Sequence, residues 1–371
     1  MSDFTFRVIK PIDWNELSDF FKKNWQGKYH FKVGAYEWDL NYTKWAILKY
    51  FWDENLLFGM YKNSQLIGLM YGCPQDLILN IEAENSIPLK GISITYTTID
   101  VNYRKKGLLH QLLTSYIEHV KNLGYDIIIS FAIQRWEEVL GRYGFNYIHD
   151  DPQFYIKFLS KEGVDKIRLI RGLNRALVIL AKTMAGIPDS KLPFGRIIDG
   201  SSEDAGRIVN LLNSYQKILP LTPIWSENNF KNYLKESIKF FKSLDLPQEF
   251  CIKLWESEEH ELLAVLIYNT QRIYFVNGSS FINFIDFIAF HEKISEKEYK
   301  RGFIAEIWKK LDPEIPLSID KFPYNDLKAR KAVKSSNDRD PRRLFVLPIT
   351  NKGQKIFMIK KMKEFFLLNL D

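Results

Sequence analysis

The sequence predicts an α/β protein of the α+β type, with two units in tandem, each a mixed, mostly antiparallel sheet flanked by helices. Three observations carry this expectation. The chain has 371 residues, 46% of them apolar, enough for about two cores at roughly 150 residues per domain. Short alternating or continuous apolar runs are interleaved with amphipathic ones, the pattern of sheets covered by helices. Finally, the order strand, two helices, antiparallel strands, helix, strand occurs twice, in 1–158 and 194–371, with low identity between the copies.

The elements follow in order. Phe6–Ile9 alternates like a short strand. Asp13, with Glu16 three residues on, opens an amphipathic helix through Asn24. A second helix is expected over Tyr42–Trp52. Leu56–Tyr61 and Leu66–Gly72 form a hairpin around Lys62-Asn63-Ser64, and Leu77–Ile81 and Ile92–Asp100 are further strands. Gly107–Leu123 reads as a helix with Leu108, Leu112, Ser115 and His119 along one face, and Tyr125–Ala132 as a fully buried strand. A short helix near Trp136–Arg142 ends at Gly144, and Phe145–Phe158 closes the unit. Residues 159–193 form a helical connector, in which Asp165–Met184 carries Arg168, Arg171, Arg175 and Lys182 on one stripe. This helix either packs on both units with a solvated basic edge or lies on a membrane surface.

The second unit repeats the scheme. Arg196–Asp199 is a strand, Glu203–Tyr215 and Ser226–Phe241 are helices, and Phe250–Trp255, Leu262–Tyr268, Ile273–Val276 and Phe281–Phe290 are strands. Ser295–Leu311 is helical, Pro316–Asp320 extended, and Asp326–Val333 a further helix. Arg343–Pro348 is a strand and Ile356–Leu368 an amphipathic tail.

Composition excludes several classes. Two cysteines, Cys73 and Cys251, make no disulfide framework. His30, His149, His260 and His291 show no metal-ligand spacing with carboxylates, and His110 and His119, nine apart on one helix, read as surface groups, so no metal is expected. The N-terminus lacks the build of a signal peptide, and no run is long and apolar enough to span a bilayer. A soluble, cytoplasmic protein is the expectation. Net charge is +7, unevenly spread: 17 basic and 18 acidic groups in 1–158, seven and three in 159–193, and 13 and three in 321–363. No nucleic-acid-binding signature accompanies the basic stretches, and no nucleic-acid partner is expected.

The most informative stretch is ITYTTIDVNYRKKGLLHQLL. A buried strand ends at Asp100, and Arg104-Lys105-Lys106-Gly107 leads into a helix. Unpaired N–H groups and the positive end of the helix dipole converge there, a suitable cradle for a pyrophosphate. Such a loop also occurs with a purely structural role.

In context, a strand, then R-x-x-G-L-L, then a long helix, a buried strand and Gly144-Phe145 resembles the GNAT acyltransferase superfamily over most of residues 4–158. Arg104 and Gly107 match the signature R/Q-x-x-G-x-G/A, and Leu109 departs from it. The pairing of two units resembles the tandem GNAT architecture of N-myristoyltransferases. Similar segments are NYTKWAI (Asn41–Ile47), LIGLMYGCPQDLIL (Leu66–Leu79), LLNSYQKILPLTPIWSENNFKNYL (Leu211–Leu234) and INFIDFIAFH (Ile282–His291). The resemblance implies an N-terminal GNAT-like domain that binds acyl-CoA, over 1–158, and a degenerate, acceptor-side GNAT-like domain over 194–371. Thr98, Ile99, Arg104, Lys105, Lys106, Gly107, Leu108 and Leu109 would hold the coenzyme, with the strand Thr95–Ile99 splayed from Ser130–Ile133 to admit the thioester. The backbone N–H groups of Tyr96 and Thr97 would stabilise the oxyanion. Phe290–Gly302 has no R-x-x-G-x-G, so the second unit should not bind coenzyme A.

The proton acceptor is less clearly marked. The strand lacks the Glu of many GNAT enzymes. Asp100 is the nearby carboxylate and could be a base or a loop cap. The Y-x-x-x-G-F tyrosine is replaced by Leu140, with Tyr143 close but on another face. N-myristoyltransferases use a C-terminal carboxylate; here Asp371 ends an apolar tail that either threads inward or forms an ordinary amphipathic helix. The resemblance thus implies an acyl-CoA-dependent N-acyltransferase acting on a primary amine by direct attack. The alternative is an inactive module that binds coenzyme A or a partner without turnover.

Overall fold

The computed structural model describes residues 4–26, 35–49, 52–82, 85–133, 136–150, 155–171, 175–214, 221–244, 249–275, 277–319, 333–334 and 342–355. Local chemistry accounts for the element ends. β1 is Phe4–Val8. The Asp13 carboxylate accepts from the N–H groups of Asn15 (2.9 Å) and Glu16 (3.1 Å) and opens α1, Trp14–Phe21. The last turn of the expected helix is instead a π-helical turn, Lys22–Gln26. β2 is Ala35–Tyr36. α2, Leu40–Leu48, starts earlier than expected because Asp39 caps it, accepting from the Tyr42 N–H at 2.6 Å, and it ends sooner, at Leu48.

β3, Leu57–Lys62, turns at Asn63 and Ser64, both at positive φ, into β4, Gln65–Glu82. β4 is one long strand where two were expected across Pro74. The ring is tolerated because β3 flanks only Leu57–Lys62 against Gln65–Tyr71 and a later strand flanks only Leu77–Leu79, so the edge at Pro74 is open on that side. β5 is Asn85–Ile99, α3 Leu108–Asn122, β6 Ile127–Ile133, α4 Glu137–Gly141, β7 Asn146–Asp150 and β8 Tyr155–Lys157. The connector holds α5, Lys161–Arg171, and α6, Arg175–Met184. β9 is Arg196–Asp199, α7 Ala205–Ser214, β10 Leu221–Pro223, α8 Glu227–Lys242 and β11 Phe250–Glu256. β12, Leu262–Phe275, is again one strand where two were expected, followed by β13, Gly278–Phe290, and α9, Lys297–Trp308. β14 is Leu317–Ile319, β15 Val333–Lys334, β16 Arg342–Pro348 and α10 Asn351–Gln354. The tail expected as a helix at 356–368 lies outside the described residues, as does all but Val333 of the helix expected at 326–333.

The strands make two sheets. The first runs β1-β3-β4-β5-β6-β16-β7 with β10 on β4, and the second β15-β8-β14-β13-β12-β11-β9 with β2 on β12. All pairings are antiparallel except β5 with β6 and β13 with β14. Each sheet therefore takes strands from both ends of the chain. β10 and β16 from the second half complete the first sheet, and β2 and β8 from the first half complete the second. The boundaries at 158 and 193 mark order along the chain, whereas the sheets are interlocked.

One large apolar core joins the units: α2 sits between them, with Trp45 stacked on Phe240 of α8 at 4.9 Å. The Asp126 carboxylate clips the returning chain to the start of β6. It accepts from the Lys90 N–H (3.0 Å), the Thr350 hydroxyl (2.8 Å) and Lys352 Nζ (3.4 Å). Burial pushes this carboxyl up, but those donors outweigh it and hold it below the usual carboxylate range.

Candidate active site

Antiparallel pairing of β4 with β5 shifts register twice, near the hairpin end between Asn80 and Glu82 and again between Leu69 and Tyr71. Leu69 opposes Thr98 and Tyr71 opposes Thr95, so Tyr96 and Thr97 together face Met70. This is a β-bulge, which takes an extra residue out of the ladder. Tyr96 has φ of 52°, a left-handed conformation that costs a non-glycine residue energy. Its ring is held edge-on among Phe21, Trp25 and Trp38, and burial pushes its phenol well up. On the other side of β5, parallel pairing with β6 covers only Gly91–Ile94 against Ile127–Ser130. Beyond that point β5 and β6 no longer pair, over the stretch where the resemblance implies a splay, and the bulge lies at the mouth of this gap.

The chain leaves β5 through a loop that is fastened from behind. Asn24 Oδ1 accepts from the Val101 N–H (2.8 Å), and Trp25 Nε1 donates to Thr98 Oγ1 (2.5 Å). Lys23 Nζ pairs with Asp100 Oδ2 at 2.6 Å. All three partners belong to the π-helical turn, which sequence periodicity did not signal. Both Asp100 oxygens are engaged, because Oδ1 accepts from the Asn102 N–H at 2.9 Å and caps the 3₁₀ turn Val101–Tyr103. Of its two sequence readings, the geometry gives this carboxylate the loop-cap role.

Arg104 is likewise occupied. Its Nε donates to the Ile99 carbonyl (2.8 Å) and its Nη2 to the Asn24 carbonyl (3.2 Å). Through these two bonds the guanidinium ties the loop to the end of β5 and to the π-helical turn. Lys105 (φ 63°) and Gly107 (φ 72°) are both left-handed and both exposed, with Lys106 between them. Gly107 is the N-cap of α3 and no side chain caps the helix. Among the described residues the N–H groups of Gly107, Leu108 and Leu109 find no acceptor. A Cβ built at Gly107 would meet nothing within 4 Å. An alternating left-handed loop at an open helix N-terminus, with two exposed lysines, has the geometry that suits an anion.

Thr98, Ile99 and the loop through Leu109 are thus contiguous with the Tyr96–Thr97 bulge. Asp371 lies outside the described residues. Tyr143 and His110, read as surface or packing groups, make a hydrogen bond to each other across α3 and the turn after α4. Among the described residues no group of His, Cys, Asp and Glu could hold a metal ion.

Residues 5–148 match the family described as an acetyltransferase (GNAT) domain. The N-terminal unit is thus similar to that family over most of its length. The matched segment and the rest of the chain together share the N-myristoyltransferase fold. Saccharomyces cerevisiae N-myristoyltransferase with bound myristoyl-CoA superposes with a TM-score of 0.65 at 12% identity, covering 94% of this chain and 83% of the yeast one. A GCN5-related N-acetyltransferase from Anabaena variabilis gives a TM-score of 0.59 at 10% identity, covering 94% and 73%. In sequence, 93 residues are 28% identical to a protein of Melanoplus sanguinipes entomopoxvirus described as "Putative glycylpeptide N-tetradecanoyltransferase". That match spans 25% of this chain and 30% of the viral protein.

Proposed function

We propose that the protein is an acyl-CoA-dependent N-acyltransferase that passes an acyl group directly from the coenzyme to a primary amine, such as a peptide N-terminus or a lysine. The observation that carries this reading is the adjacency of the strained Tyr96–Thr97 bulge, the split between β5 and β6, and the open cradle at Gly107. The cradle would take the pyrophosphate on the free N–H groups of Gly107, Leu108 and Leu109, with Lys105 and Lys106 adding long-range attraction. The pantetheine would run into the split, which brings the thioester carbonyl to the bulge. There the main-chain N–H groups of Tyr96 and Thr97 would stabilise the oxyanion formed when the amine nitrogen attacks. Collapse of the tetrahedral intermediate forms the amide, breaks the carbon–sulfur bond and releases coenzyme A. The amine proton needs an acceptor, and with Asp100 engaged as a cap the proposal is the Asp371 carboxyl.

The bulge favours catalysis over binding alone. Holding Tyr96 at positive φ costs of order 1–3 kcal/mol, and such strain is typically kept where a site uses it. The test is thiol release from acetyl-, octanoyl- and myristoyl-CoA over a panel of peptide and small-molecule amines. Release that requires both acyl-CoA and amine is expected. Tight coenzyme binding with no release on any amine would instead establish the inactive module. Thermal shifts with the three donors rank acyl length, and equal shifts would contradict a fatty-acyl tunnel.

A further inference from the structure

The connector holds the feature that the acyl-transfer reading leaves unused. A single helix through Asp165–Met184 was expected; the chain instead forms α5 and α6, which fold back on each other. Asp165 and Lys182 pair at 2.6 Å although 17 residues separate them, a span of about 25 Å in a continuous helix. Val164 and Ile167 of α5 close a small core with Val178 and Ala181 of α6 over Phe158. The hairpin is anchored at its base, where Lys157 Nζ donates to the Met184 carbonyl (3.0 Å) and Lys166 pairs with Glu314 (3.3 Å).

Its outer face is apolar and basic together. Among the described residues seven large apolar side chains are exposed, and three lie here: Leu169 (77%), Ile179 (59%) and Leu180 (48%). Since Asp165 faces Lys182, Arg168 and Leu169 stand level with Ile179 and Leu180, toward the reversal and away from the anchored base. Arg168 and Arg175 flank them, exposed and without an ion pair among the described residues. The hairpin sequence 161–184 carries six Lys or Arg against two acidic residues.

We infer that this hairpin docks the protein onto an anionic membrane surface, with Leu169, Ile179 and Leu180 entering the headgroup boundary and Arg168 and Arg175 meeting lipid phosphates. Exposed apolar side chains between unpaired arginines suit that boundary, because each group finds its own kind of partner there. A second copy is the poorer occupant. A two-fold interface sets a patch against itself and would bring Arg168 and Arg175 against their own kind.

The experiment is co-sedimentation of the full chain with phosphatidylcholine vesicles, with and without phosphatidylserine, at low and high salt. Binding to the phosphatidylserine vesicles alone, weakened by salt, is expected. Arg168→Gln with Arg175→Gln should weaken it by roughly tenfold or more, since each surface arginine contributes about 1 kcal/mol. Leu169→Ser with Ile179→Ser should weaken it too, with unchanged thermal unfolding because both side chains are exposed. Three results would overturn the inference: no vesicle binding, equal binding by both variants and the parent, or a patch variant that instead abolishes dimers in sedimentation velocity. None of these measurements involves acyl-CoA, so they stand apart from the acyltransferase test.

Discussion

The two sheets of this protein share a plan and differ at the place where a coenzyme would sit. Each has a long antiparallel pair, β4–β5 and β12–β13, a bulge in its second strand, a parallel neighbour paired over only a few residues, and a following helix. In the first sheet the bulge is at Tyr96 and Thr97, and α3 opens on Gly107 into free space. In the second the bulge is at Asp286, and its side chain is buried. Asp286 accepts from the Tyr233 hydroxyl (3.0 Å) and Asn269 Nδ2 (2.8 Å), while burial pushes its carboxyl up against the pull of Lys49. The helix there, α9, begins at acidic Glu296, and connector residues pack along its flank. Ser190 donates to Glu298 (3.0 Å), and the Lys191 carbonyl fills the space that a Cβ at Gly302 would need. One copy keeps an open helix N-terminus beside two lysines, whereas the other begins among acidic residues and is packed against the connector on its flank. The fold recurs, but only the loop at Gly107 keeps the geometry proposed for the anion site.

The largest effect should come from breaking the interlock that supports that loop. Val346 of β16 is fully buried among Ile127, Ile129, Leu77 and Leu221. Val346→Asp should cost about 3–5 kcal/mol, by burying an unpaired charge, and should unfold the first sheet despite lying in the second half of the sequence. Thermal unfolding followed by circular dichroism checks this; an unchanged midpoint would mean the halves are independent. Next come two glycine changes that set the units against each other. Gly107→Val should cut acyl-CoA affinity roughly tenfold or more, because a β-branched residue at φ 72° deforms the cradle at about 1–2 kcal/mol of strain. Gly302→Ala should destabilise by about 1–3 kcal/mol through its clash with Lys191 and leave acyl-CoA affinity unchanged. If instead Gly302→Ala changed the affinity and Gly107→Val did not, the assignment of the cradle would be reversed.

A smaller effect concerns pH. The Asp126 carboxyl is depressed in the folded chain, so its contribution is present above the ordinary carboxylate pKa of about 4 and is lost as pH falls through the folded value. Asp126→Asn should lower stability at neutral pH by about 1–2 kcal/mol and flatten the acid limb of the stability curve. The parent and variant should converge at low pH. The smallest expected change is Lys105→Gln with Lys106→Gln, a few-fold loss of acyl-CoA affinity at low salt that vanishes at high salt, since both side chains are exposed.

Much of the first sheet was legible because its signals are local. Asp13 at a cap, Asn63-Ser64 at a hairpin and Gly107 before a helix each act within a few residues, and each forms what its chemistry favours. The open loop geometry at Gly107, on which the proposed cradle rests, follows the same short-range pattern. What escaped was long-range or conformational. Nothing in R-R-L-F-V-L-P says that β16 inserts between β6 and β7, since an apolar strand suits either sheet. The π-helical turn has no periodic signature, so Lys23, Asn24 and Trp25 were missed as the backing of the loop. That hidden partner set also includes Arg104, which donates to the Ile99 and Asn24 carbonyls. The connector was read as one helix because its periodicity runs unbroken in sequence, whereas the ion pair of Asp165 with Lys182 requires a reversal.

The most direct test of the central claim is calorimetric titration of coenzyme A into the full chain at low salt, alongside Gly107→Val and Gly302→Ala. One site on the parent, retained in Gly302→Ala and lost or strongly weakened in Gly107→Val, is the result this account requires. Absence of binding to the parent near millimolar ligand, or equal affinity in all three proteins, would contradict it.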